Sequence, residues 1–462
     1  MNSTEQLENG KILPLVFKLT VPAVIGQLIT FLYNIVDRMY VAKIDGAGMD
    51  ALAALGIVLP ITLIIQAFAN LIGLGGAPRA SIKLGEGNGD EANKVFNTSF
   101  VLLVIIGIAL SIITFFSARQ LVILFGCPES AVDFAESYLK IYSTGTVFVL
   151  LAQGLNPFIN AQGHSFIAMF SVLIGALINI ALDPLFIFVL NMGVKGASLA
   201  TVISQGLSFV WITVFFFSKK SIFKLRLKEM KPNGKIILSI LALGLSPFIM
   251  TITECAIQIV FNINLKLATN GDKDYTAALT IMLSALQLIS LPLNGLGYGM
   301  QPFVSYNYGK GNAERLKRGI QCVTVIAFVF AAVMWSLSMA FPQVYAYLFS
   351  ASESVHKIVK QYTPFFLMGS IMFFVQMTLQ NVNVALGRAK SALFLAVLRK
   401  VIILIPLCFV LTEYLGFKGV YLSEGIADLV AGVITAAVLF STFPKVFKKR
   451  EQEVRADKEN DN

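Results

Sequence analysis

The sequence predicts an all-α fold: a polytopic membrane protein with 12 transmembrane helices in two pseudo-symmetric six-helix lobes. Three observations predict it. The 462 residues are 56% hydrophobic and only 13% charged, with a mean hydropathy of +0.76, more apolar surface than a soluble fold can bury. The apolar residues fall into 12 segments, and a bilayer crossing takes roughly 20 residues. The second six segments repeat the pattern of the first.

In chain order the segments lie at 13–44, 51–78, 93–117, 131–159, 164–190 and 196–218, then at 236–268, 275–302, 315–340, 355–383, 388–414 and 419–441. Residues 1–218 make the N-terminal lobe and 236–444 the C-terminal lobe. Between them, 219–235 carries Lys219, Lys220, Lys224, Arg226, Lys228, Lys231 and Lys235, too much charge for lipid, and reads as a flexible basic linker. The repeat is explicit. Gly73, Gly75, Pro78, Gly85, Gly87 and Asn88 match Gly297, Gly299, Pro302, Gly309, Gly311 and Asn312 at a constant offset of 224. Phe125, Glu129, Tyr138, Gly145 and Gly163 match Phe349, Glu353, Tyr362, Gly369 and Gly387 at the same offset. With six spans per half, both halves start from one side, so the repeat is parallel, as in several transporter folds. Pro22 and Pro247 occupy matching places in the first and seventh segments and mark bends.

The net charge of +10 sits in short loops and the tail, which fits a membrane orientation signal rather than nucleic acid. Arg79, Lys83, Lys94, Lys310, Arg315, Lys317, Arg318, the linker and Lys445, Lys448, Lys449 and Arg450 share one side. The other side holds few, such as Arg119, Lys195 and Lys418. Both termini are therefore expected in the cytoplasm. The acidic, polar N-terminus does not read as a cleaved signal peptide. The charged tail, 445–462, is expected to be disordered from Lys448 on.

Several classes are excluded. Cys127, Cys255, Cys322 and Cys408 are scattered and form neither a metal motif nor a disulfide framework, and His164 and His356 are the only histidines. Gly85-Glu-Gly87-Asn88 and Gly309-Lys-Gly311-Asn312 lack the phosphate-loop pattern, so no nucleotide is expected. No Ser/His/Asp or Cys/His arrangement supports hydrolysis, and the chain does not read as an enzyme.

The candidate site starts from Asp183, a carboxylate inside the apolar segment 164–190. Such a residue costs roughly 2.5–3.5 kcal/mol on insertion scales and is a functional candidate by default. Asn179 lies one turn before it on the same face, and Pro184 removes a backbone donor just after it. Asp37 sits about as far from the outer end of the first segment as Asp183 does from that of the fifth, roughly 10 Å deep. Thr201 lies at similar depth in the sixth segment, and Asn34 one turn from Asp37. Asp37, Asn179, Asp183 and Thr201 form one candidate cluster, with independent interhelical bonds as the alternative. The C-terminal half has Asn262 where Asp37 stands in the first. Its own buried charges are Glu254, Arg399, Lys400, Glu424 and Asp428. Cations in lipid need carboxylate partners, so this set reads equally as a structural network or a substrate site.

Leu177-Ile-Asn179-Ile-Ala-Leu-Asp183-Pro-Leu-Phe-Ile-Phe188, Gly193-Val-Lys-Gly-Ala-Ser-Leu-Ala-Thr201 and Tyr33-Asn34-Ile-Val-Asp37-Arg38 resemble the multidrug and toxic compound extrusion (MATE) family, nearest its DinF-like and MepA-like bacterial branches. The resemblance covers nearly the whole chain. It implies export of small, amphipathic, mostly cationic drugs by a monomer in the bacterial plasma membrane, driven by inward H⁺ or Na⁺ flow and without a cofactor. It also implies a cation-coupling site at Asp37, Asn179, Asp183 and Thr201, with Na⁺ at Asp37 and Asp183 where sodium is the coupling ion. The NorM-like branch uses acids in the seventh and tenth helices. Glu254 fits the first, but 355–383 has no acid past its start, and Arg399 and Lys400 depart from that pattern. A lipid-linked precursor flippase of similar architecture is the alternative, kept open by those two cations.

Overall fold

The computed structural model describes residues 3–44, 48–226, 229–230, 233–349 and 351–460. Lys228 and Lys231 of the linker and the last two residues of the tail lie outside the described residues. Twelve long helices form among them. The first six are α1 (Ile12–Val41), α2 (Gly48–Gly85), α3 (Gly89–Phe116), α4 (Val132–Ala161), α5 (Ser165–Val189) and α6 (Val194–Phe217). The second six are α7 (Gly234–Ala268), α8 (Lys273–Lys310), α9 (Ala313–Ala340), α10 (Glu353–Met372 with Phe374–Ala385), α11 (Ala389–Leu415) and α12 (Phe417–Asn460). Ten of the twelve are long and apolar enough to cross a bilayer, and α10, bent by 42° at its break, makes an eleventh. The exception, α4, carries Gln153, Asn156 and Asn160. Polar side chains are tolerated there because α4 packs against α2, α3 and α6 rather than lipid. Asn156, for instance, donates to Ala168 O (2.8 Å) and Ser171 Oγ (2.6 Å) on α5.

The helices gather into two compact units that differ from the expected lobes 1–218 and 236–444. One is built on Ile25–Thr251, the other on Glu8–Val24 together with the chain from Ile252 onward. The start of α1 thus packs with the second set of helices and the start of α7 with the first. Matched glycines explain it. In the first unit, Gly75 of α2 lies so close to Ile240 and Gly244 of α7 that any Cβ there would meet Gly244 N at 2.8 Å. In the second, Gly299 of α8 lies against Leu19 and Thr20 of α1, and a Cβ would stand 2.6 Å from Thr20 Cα. Both exchanges end within a few residues of Pro22 and Pro247, where the missing backbone hydrogen bond lets the helix change course.

Two expectations about the connecting segments are corrected. The linker is not flexible over residues 218–226. Asn93 and Asn97, one turn apart on α3, treat its backbone as a strand would. Lys224 N–H donates to Asn93 Oδ1 (2.7 Å), Arg226 N–H to Asn97 Oδ1 (2.9 Å), and Asn97 Nδ2 to Lys224 O (2.9 Å). Gln162 Oε1 accepts from the N–H of Ile222 (2.5 Å). Phe223 is fully buried and stacks on Phe96 at 5.5 Å. The tail is not disordered over 445–460 either, because α12 continues to Asn460. Its charges support a helix: Lys449 pairs with Glu453 at i, i+4 (3.8 Å). Arg450 donates to Tyr308 O (3.2 Å) and Gly309 O (3.1 Å) at the C-terminus of α8, where helical partners run out.

A short helix, Ser3–Asn9, precedes α1. Glu8 is anchored by Lys310 Nζ (3.0 Å) and Tyr306 OH (3.2 Å), and Arg315 Nη2 donates to Gly10 O (2.6 Å). Lys310 beside Glu8 holds its carboxyl below the usual carboxylate range. A folded value below the unfolded one means that the stabilisation is present at neutral pH and fades as pH falls through the folded value. The pair is part-exposed, so its worth is at most about 1 kcal/mol. Acidification through that range, or Glu8→Gln at neutral pH, is expected to speed amide exchange over residues 3–10 while leaving α8 protected. Unchanged exchange in both would show that the anchor does not hold the segment.

Candidate functional site

Within the first unit, α1, α2, α4 and α6 enclose a polar cavity of about 70 Å³. Tyr33, Asn34 and Asp37 reach it from α1, Thr62 and Gln66 from α2, Tyr138, Tyr142 and Gln153 from α4, and Thr201 and Gln205 from α6. A water needs roughly 10–15 Å³, whereas drug-sized sites run to roughly 300–1,000 Å³. The cavity therefore suits water and small ions rather than a bulky organic molecule.

Asp37 faces this cavity, and Asp183, fully buried, lies beside Asp37. Asn179 Nδ2 donates to Asp183 Oδ1 across one turn of α5 (3.3 Å). The structure thus brings Asp37, Asn179, Asp183 and Thr201 into one place, with Asn34 on the same cavity wall. Asp37 Oδ1, Asn179 Oδ1 and Asp183 Oδ2 are buried and meet no donor. Thr201 sends its hydrogen to Ala197 O (3.0 Å), which leaves its oxygen lone pairs free to accept. Two ionised carboxylates side by side away from bulk water repel each other. Two carboxylates among oxygen ligands suit a small hard cation, H⁺ or Na⁺, with Arg38 on the same cavity wall offsetting part of their charge. The helix changes hand-hold right after the acid: Pro184 ends the regular α5 turns, and Leu185–Val189 is π-helical. Such wide turns recur at functional sites.

Sequence reasoning missed the tyrosines and glutamines of the cavity. Tyr138 faces Thr201 and Tyr142 faces Gln66. A signal existed in the spacing: Tyr33 lies one turn from Asp37, and Tyr138 one turn from Tyr142, so each pair shares a helix face.

The second unit holds the mixed charges. Arg399 and Lys400 sit in the π-helical Leu398–Leu404 of α11. Arg399 Nε donates to Asp428 Oδ1 (2.5 Å) and Nη2 to Glu424 Oε1 (3.1 Å), and the guanidinium lies over Phe373, 5.1 Å from the ring centre. Lys400 Nζ pairs with Glu254 of α7. Gln376, in the π-helical Phe374–Leu379 of α10, donates to Asp428 O (2.5 Å). The Glu254 side chain is 56% exposed, while Arg399, Lys400, Glu424 and Asp428 are buried. Asn262 is exposed. Each cation has a carboxylate partner, as charges inside lipid require.

Comparison with known proteins follows the same division. The family model MatE matches residues 22–185 and again 247–410, once in each half. A curated relative, "Multidrug export protein MepA" of Staphylococcus haemolyticus, is 29% identical over 439 residues, covering 94% of each chain. The protein of the same name from Staphylococcus aureus is 25% identical over 437 residues, again with 94% of each chain covered. Among solved structures, one described as an outward-facing conformation of a multidrug resistance MATE family transporter of the MOP superfamily superposes with a TM-score of 0.88. It is 23% identical and covers 96% of this chain and 98% of that one.

Proposed function

From the premise that the chain belongs to the MatE family, we propose that it is a secondary antiporter that exports multiple drugs. Its substrates are small, amphipathic and mostly cationic, and they leave the cytoplasm as H⁺ or Na⁺ flows inward. The observation that carries this reading is fully buried Asp183 beside Asp37, whose carboxylate faces a cavity sized for an ion and has its Oδ1 buried without a donor. A cation bound there neutralises charge that is otherwise stranded in an apolar fold. Its arrival and departure change which helix packing is favoured, and a ligand that distinguishes two conformations shifts their populations. The basic loops support a plasma-membrane orientation with both termini in the cytoplasm, and the site needs no second copy of the chain. The flippase alternative is disfavoured by the second unit, where Arg399 and Lys400 are occupied by Asp428, Glu424 and Glu254 and present no free cationic face to a pyrophosphate.

Ethidium transport by inverted vesicles tests the reading. An imposed proton or sodium gradient is expected to drive ethidium into the lumen in proportion to the amount of protein, and collapse of that gradient to reverse it. Transport that needs ATP and ignores both gradients would refute an antiporter. Preference for the sodium gradient over the proton gradient, or the reverse, identifies the coupling ion.

A further inference from the structure

The charges of the second unit do not balance, and the imbalance is local. Among the described residues, the cations paired with Glu254, Glu424 and Asp428 are Arg399 and Lys400. Lys400 pairs with Glu254 and reaches Glu424 and Asp428 only through its field, so their one cationic donor is Arg399, which gives each one N–H. Their other oxygens, Glu424 Oε2 and Asp428 Oδ2, meet no donor, although the residues are only 3% and 0% exposed. The two acids lie one turn apart on the same face of α12. Gly425 between them and Gly369 opposite let α10 press onto this face: a Cβ at Gly425 would collide with Phe365 O, and one at Gly369 with Asp428 Cβ.

We propose that Glu424 and Asp428 form a second exchangeable-proton site, separate from Asp37 and Asp183. A proton placed on either carboxyl removes the surplus charge and supplies the hydrogen bond that the spare oxygens lack. A metal ion is a poorer occupant, because the Arg399 guanidinium already lies against both carboxylates and repels it. Among the described residues no three His, Cys, Asp or Glu side chains converge as a metal site either. The groups facing the pair are few. α11 brings Arg399, Lys400 and the Cys408 thiol, and α7 brings Glu254. α10 brings Gly369 and the neutral Gln376, and Tyr421 lies one turn away on α12 itself. Part-exposed Glu254, paired to Lys400, is the solvent-facing carboxylate of this charge cluster. The inference rests on the antiport reading for its use, which is to move a second proton in each export cycle.

Infrared difference spectra of the reconstituted full-length protein, taken between alkaline and acidic buffer without substrate, test the site. The probe is the C=O stretch of a protonated, buried carboxyl, which shifts in D₂O. The double variant Asp37→Asn, Asp183→Asn cannot carry the first proton. It is expected to keep one such pH-dependent band, which Glu424→Gln or Asp428→Asn then removes. The proposal is overturned if the double variant shows no band, or if its band survives both further substitutions. Where those further variants fail to fold, the double variant decides alone, since its second unit is untouched. No substrate is present, so this outcome stands apart from the success or failure of the transport assay.

Discussion

Asp183→Asn and Asp37→Asn are each expected to reduce gradient-driven ethidium transport to the level of vesicles lacking the protein. Asparagine keeps the size and the hydrogen-bonding edge of aspartate but removes the charge that a coupling cation binds. Protein level in the membrane is expected to hold or rise, because each substitution removes a buried carboxylate that costs roughly 2.5–3.5 kcal/mol to insert. Quantifying transport against the amount of protein in the same vesicles separates the two effects. The neighbours should behave differently. Asn179→Ala removes a donor to Asp183 Oδ1 and leaves the charge, so transport is expected to weaken and to need a steeper gradient rather than vanish. Normal transport by both aspartate variants would mean that the pair plays no part in coupling.

Arg399→Ala is the second large effect, and it acts on stability. Breaking a buried ion pair strands the partner, at a cost of roughly 3–5 kcal/mol. Here two acids are stranded together, since Glu424 and Asp428 share the one guanidinium. Thermal melting in detergent is expected to fall sharply for Arg399→Ala. Arg399→Met combined with Glu424→Gln and Asp428→Asn should recover part of the loss, because neutral groups of similar size remove the charge imbalance. Lys400→Ala should cost less, because its partner Glu254 is more than half exposed and water can replace the lost ammonium. A melting point unchanged in Arg399→Ala would contradict the pairing.

Much of this was legible in the sequence, for reasons that can be named. Transmembrane segments announce themselves by unbroken hydropathy, and the repeated glycines showed the duplication because only glycine fits where Gly75 and Gly299 meet a neighbouring backbone. Asp37 and Asp183 stood out because a carboxylate in lipid is costly enough to demand a reason. The tyrosines and glutamines of the cavity did not stand out, since such residues sit as readily at bilayer interfaces or between helices. The placing of the start of α1 with the second unit was hidden as well. Pro22 marks where a helix can change course but not which partner it then packs against. The linker misled for a different reason. Its lysines and arginines dominate composition, while Phe223 and the side chains of Asn93, Asn97 and Gln162, which hold it, lie far apart in sequence. The tail misled because net polarity says nothing about i, i+4 pairing or about Arg450 reaching the end of α8.

The central claim is that Asp37 and Asp183 bind one coupling cation in competition with drug. It is tested most directly by adding tetraphenylphosphonium to the purified protein in weakly buffered detergent solution and recording ions released, with a pH electrode in one series and a sodium electrode in another. The account predicts that the wild-type protein releases protons or sodium in step with tetraphenylphosphonium binding. It also predicts that the Asp37→Asn and Asp183→Asn proteins bind tetraphenylphosphonium with the release from this pair lost, so that each releases fewer ions than the wild type. Equal release from all three proteins would contradict it.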